Sequence, residues 1–102
     1  MHFLVTITPT HEAANALDAG PGGPGPLFGW IADRYRPELF WVDAGQRSAS
    51  WIIDVSEPGQ LHELVHVAAR KAATTPQITP VILGPEAADT IPAAMKVAAE
   101  AP

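Results

Sequence analysis

Leu39-Phe40-Trp41-Val42-Asp43-Ala44-Gly45-Gln46-Arg47-Ser48-Ala49-Ser50-Trp51-Ile52-Ile53-Asp54-Val55 reads as two strands and the turn between them. Leu39 to Ala44 and Ala49 to Val55 are rich in β-branched and aromatic residues, and Gly45-Gln46-Arg47-Ser48 has the length and composition of a hairpin loop. The two runs should pair antiparallel. Upstream, Leu27, Trp30, Ile31 and Arg34 recur at helical spacing and stop before Pro37, which disfavours helix at its predecessor. Before them stand seven consecutive glycines and prolines, Gly20 to Pro26, which suit neither helix nor strand. Further upstream, Thr10 is placed to cap a short helix beginning His11-Glu12-Ala13, and His2 to Thr8 alternates with period two until Pro9 closes it.

Downstream of the hairpin, Ser56 is the expected N-cap of a helix with Pro58 in its first turn and an apolar stripe of Leu61, Leu64, Val65, Ala68 and Ala72. Gln77 to Leu83 reads as a fourth strand, and Pro80, which has no N–H to donate, places it at an edge or bulge. An alanine-rich helical tail follows, with Pro92 tolerable near the start of its last helix. The order of elements predicts an α+β, ferredoxin-like βαββαβ domain over residues 1–102: a four-stranded antiparallel sheet with helices on one face, a loop at 20–26 and an extra helix in the tail 86–102.

A chain of 102 residues has room for one core. Lys and Arg number 6 against 11 Asp and Glu, for a net charge of −5, so no basic stripe exists to neutralise nucleic-acid phosphates. No apolar run approaches the roughly 20 residues of a membrane helix, and Met1 to Val5 lacks a signal-peptide pattern. With no cysteine, disulfides, thiolate nucleophiles and thiolate metal sites are excluded. A soluble cytoplasmic protein is expected. Charged residues make up 17%, low enough to suggest that a second copy covers part of the surface.

Trp41, Ala44-Gly45, Asp54-Val55 and Leu61-His62, taken without a gap, resemble the muconolactone isomerase branch of the dimeric α+β barrel superfamily. These motifs span about a quarter of the chain, and Pro80-Val81-Ile82, Gly84 and Glu86-Ala87-Ala88 are similar to small uncharacterised members. The resemblance implies a homodimer or higher homo-oligomer with sheets meeting face to face as a barrel. It also implies a ligand pocket between sheet and helices, and proton-transfer isomerase or cyclase chemistry on a small unsaturated carbonyl, lactone or polyketide-type compound without a cofactor. Two departures stand out: Ala68 to Ala73 replaces the family's Leu-Pro-Leu-Phe type segment, and Gly20 to Pro26 breaks its first helix.

Within that reading His62, at the margin of the helix stripe, is the candidate proton shuttle, with His2 facing the same substrate if its strand face looks into the pocket. Arg34, Arg36 and Arg47 are the candidate partners for a substrate carboxylate or enolate, with Arg47 or Arg34 taking the developing enolate charge. Phe28, Trp30 and Trp41 are the candidate aromatic walls for a small apolar or aromatic ligand. His66 stands one turn from His62, but no third ligand is evident, so no metal is expected. Asp54 is expected to accept backbone donors at a helix entrance. The 20–26 loop, with Leu27, Phe28 and Trp30 behind it, is a candidate lid. Two other functions fit the same residues: a non-catalytic ligand-binding or assembly protein, and a cofactor-independent monooxygenase of the same superfamily.

Overall fold

The computed structural model describes residues 1–102. Its elements run β1 (His2–Ile7), α1 (His11–Ala19), α2 (Gly25–Tyr35), β2 (Leu39–Val42), β3 (Ala49–Asp54), α3 (Pro58–Ala72), β4 (Gln77–Val81) and α4 (Gly84–Glu100). The strands form one antiparallel sheet in the order β2-β3-β1-β4. This is an α+β architecture compatible with a ferredoxin-like arrangement, and β4 with its Pro80 lies at an edge.

Register divides the sheet into two faces. Val5 lies opposite Trp51 and Ile78, and Phe40 opposite Trp51, so these residues project toward α2 and α3. There Val5, Ile7, Trp51 and Ile53 from the sheet meet Phe28, Ile31 and Tyr35 from α2 and Leu64, Ala68 and Ala72 from α3 in one buried cluster. Trp51 is its centre. Phe28 meets the indole edge-on at 5.6 Å between centroids, and Phe40 stacks on it at 5.5 Å. The opposite face carries His2, Leu4, Thr6, Leu39, Trp41, Ser50 and Ile52, and no helix covers it.

Between α1 and α2 the chain reverses within Gly20 to Pro24, where Gly22 (φ 77°) and Gly23 (φ 60°) adopt left-handed backbone that side chains disfavour. The glycine-proline run is thus a turn that ends one helix and starts the next.

Local chemistry moves several expected boundaries. Strand β2 stops at Val42 because Asp43 turns into the hairpin, its carboxylate accepting from the Ser48 hydroxyl and the Gln46 amide. Glu57, not Ser56, is the N-cap of α3, because the Gln60 side chain folds back to accept from the backbone N–H groups of both Ser56 (3.0 Å) and Glu57 (3.2 Å). Asp54 accepts from the Met1 ammonium at 2.9 Å instead of serving a helix end. Pro92 lies in the interior of α4 rather than near a helix start, so that helix forgoes the bond to Ala88.

Candidate functional site

Helix α1 presents Ala14, Leu17 and Asp18 along one face, as the 3.6-residue period requires. That face looks across at Phe28 of α2 and at the hairpin of β2 and β3, and the three elements enclose a pocket of about 220 Å³. Ala14, Leu17, Phe28 and Val42 form its apolar wall, while Asp18, Gln46, Arg47 and Ser48 gather at its polar side. The volume falls below the ~300–1,000 Å³ typical of drug-sized ligands, so a compound of small ring size fits it.

Arg47 is held in place from α1. Its Nη1 donates to Asn15 Oδ1 at 2.8 Å, and its Nη2 lies 3.3 Å from Asp18 Oδ2. A guanidinium has five N–H donors in a rigid fork, so two contacts orient it and leave donors for a ligand oxygen. Asp18 is the sole carboxylate lining the pocket.

Of the residues singled out in the sequence, Phe28 and Arg47 come together here, and Pro24 brings the 20–26 turn to the pocket wall. His2 and His62 do not converge. His2 lies on the uncovered sheet face with its Nε2 2.8 Å from Glu38 Oε1, whereas His62 is exposed on α3, which packs on the other face. One substrate cannot touch both within this chain. The rings of His62 and His66 meet edge-on with their Nε2 atoms 3.0 Å apart, and no group of three or more His, Cys, Asp or Glu side chains forms a metal cluster. Trp41 sits on the uncovered face and does not line the pocket, although its neighbour Val42 does.

Arg34 and Trp30 belong to a separate arrangement. Arg34 packs its guanidinium 5.7 Å from both the Trp30 and Tyr35 ring centroids and donates to Glu63 Oε1 through Nε (3.2 Å) and Nη2 (3.1 Å). Tyr35 donates to the same oxygen at 2.8 Å. Hydrogen bonds from the Tyr35 hydroxyl and then from Arg34 hold the Glu63 carboxyl below its usual range. Burial, reinforced by the bond to Glu63, pushes the Tyr35 phenol up. This cluster ties α2 to α3, and Arg34 does not line the pocket beside Arg47. Trp30 flanks an open groove between those helices, faced by His66, Arg70 and Lys71.

Asn15, Leu17 and Asp18 were not among the sequence candidates. The signal for them was present, because Ala14, Leu17 and Asp18 stand at positions i, i+3 and i+4 of a helix whose inner face needed an occupant. Their proximity to Arg47, about thirty positions away, is a tertiary fact with no local trace.

Compared with protein-family models, curated proteins and solved structures, the chain matches none. No helix is long and apolar enough to cross a membrane.

Proposed function

We propose that this protein is a cytoplasmic, cofactor-independent isomerase or cyclase of the muconolactone isomerase-like kind, working as a homodimer on a small unsaturated carbonyl or lactone compound. The observation that carries the reading is the pairing, at one small apolar pocket, of an anchored guanidinium with a carboxylate: Arg47 and Asp18. The hairpin and Leu61-His62 resemblance supports it, and the uncovered sheet face gives a second copy a surface to meet.

The chemistry follows from the two groups. A substrate carbonyl oxygen accepts from the free N–H donors of Arg47, so that the adjacent C–H is acidified as enolate charge develops on that oxygen. The Asp18 carboxylate takes the proton, and the bonding pair enters the conjugated system. The half-exposed Asp18 carboxyl exchanges its proton with solvent and delivers one to a different carbon, which shifts the double bond with no net gain or loss of atoms or electrons. His62 has no part in this scheme, since it does not line the pocket.

The test is proton NMR of a panel of small β,γ-unsaturated lactones and ketones in deuterium oxide. Deuterium incorporation with double-bond migration is expected, reduced ~100-fold or more in Asp18→Asn and in Arg47→Ala. Ligand-induced shifts without any exchange assign the chain to the non-catalytic binding class, and absence of both overturns the pocket reading.

A further inference from the structure

Helix α4 is built for a partner that the single chain does not supply. None of its residues is buried, and it makes no extended contact with any other element. Ile91 (60% exposed) and Met95 (67%) stand one turn apart on one side of the helix. The molecule measures 56 × 24 × 23 Å. A helix of 17 residues is about 26 Å long, which leaves roughly 30 Å of the long axis for the body. The radius of gyration of 16.6 Å likewise exceeds the ~13 Å of a compact chain of this length. The helix therefore projects as an arm, from a base where Gly84 takes left-handed backbone (φ 48°). Isolated helices of this length are marginal in water, and the interior Pro92 weakens this one further.

The same chain carries a complementary deficit, because the outer sheet face with Leu4, Leu39, Trp41 and Ile52 has nothing packed on it. We infer that α4 is an exchange arm: in a homodimer each α4 lies on the outer sheet face of the other copy, its Ile91 and Met95 side against that face. This rests on the homodimer part of the proposed function and puts a helix-on-sheet contact in place of the sheet-to-sheet barrel that the resemblance implies. The areas agree. Leu39 on the face and Ile91 and Met95 on the arm are each half or more exposed, and Ala88, Ala94 and Ala98 are exposed on the same side of α4; at roughly 100 Å² for each large residue and roughly 60 Å² for each alanine they offer about 480 Å² of apolar surface. A stable interface buries ~800 Å² per partner, of which about 60% is apolar, again close to 500 Å². Two-fold symmetry makes the exchange reciprocal, so both arms and both faces are satisfied at once.

The absence of cysteine makes the test clean. Met95→Cys in the full chain is labelled with a thiol-reactive benzophenone, and natural-abundance and ¹⁵N-labelled chains are mixed, irradiated and mapped by mass spectrometry. Light scattering should give twice the 10.8 kDa chain mass at micromolar concentration. Cross-links should join position 95 of one isotope to strand residues 2–7, 39–42 or 49–54 of the other. Ile91→Asp with Met95→Asp should weaken the dimer at least tenfold without loss of far-ultraviolet circular dichroism. A monomer overturns both the dimer and the arm. A dimer whose cross-links stay within one chain, or whose affinity survives the double substitution, overturns the arm and leaves the dimer standing.

Discussion

Trp51 offers the sharpest test of the packing, because its ring is fully buried while its indole N–H has no hydrogen-bond partner. Two substitutions separate those properties. Trp51→Ala removes the ring, both aromatic contacts and the volume that β3 uses to fill the space beneath α2, and a large-to-small change of this kind costs about 3–5 kcal/mol. Trp51→Phe keeps a ring between Phe28 and Phe40 and deletes about three heavy atoms, worth roughly 2 kcal/mol of transfer free energy. It also deletes the orphan donor, whose desolvation costs about 1–3 kcal/mol in the native protein. The two terms nearly cancel, so Trp51→Phe should change stability by less than about 1 kcal/mol. Urea unfolding followed by circular dichroism at 222 nm measures both. With a slope near 2 kcal/mol/M, Trp51→Ala should lower the midpoint by about 2 M and Trp51→Phe by less than about 0.5 M. If both variants lose about 3 kcal/mol or more, the indole N–H is engaged in the folded protein and the reasoning fails.

The single tyrosine makes a second prediction readable at 295 nm: Tyr35 should ionise above the ordinary value of 10.0, and since the folded state holds that proton more tightly, the associated stability is present below 10.0 and lost as pH rises through the raised value. Glu63 has the opposite sign. Its folded-state pKa lies below 4.5, so its contribution is present above 4.5 and disappears as pH falls through the depressed value, and Glu63→Gln should flatten the acid limb of a stability-pH curve. Gly22→Ala forces a side chain into backbone at φ 77° and brings its Cβ to 3.2 Å from Pro26 Cγ, so a loss of about 1–2 kcal/mol is expected by thermal unfolding, against a gain of about 0.5–1 kcal/mol for Gly29→Ala, an interior position of α2 whose surroundings are open. His62→Ala should leave turnover near that of the native chain, because His62 stands outside the pocket; a hundredfold loss would move the chemistry to the face of α3.

Much of the fold was written in local pattern. Alternation in β1, the hairpin composition around Gly45, the breaker run at 20–26 and the stripe on α3 each act over a few residues, so element order and the edge position of β4 follow from them. Failures occurred where a competing local bond decided the outcome. Gln60 reaching back to two backbone donors moved the N-cap from Ser56 to Glu57, and the Met1 ammonium claimed the Asp54 carboxylate. Pro92 was misread for another reason: in an exposed helix with no extended packing, no neighbouring element punishes a missing hydrogen bond. The candidate pocket was legible in part. Residue type singled out Phe28 and Arg47, but the preference of histidine for neutral-pH proton transfer drew attention to His2 and His62, and only the sheet's two-sidedness separates them.

The strand order has a consequence for how the chain comes to be folded at all. β1 is the first strand to be made, yet it occupies an interior position and pairs with β3 and β4, so its second flank stays open until Gln77 to Val81 exists. At ~5–20 residues per second, synthesis of the intervening segment takes roughly 4–15 s. Throughout that interval a nascent strand bearing Phe3, Val5 and Ile7 offers unpaired backbone to any passing partner. Such long-range closure also slows refolding. The protein should therefore refold more slowly than a helical bundle of equal length and draw on chaperones during translation, a burden set by topology and independent of what the mature fold binds.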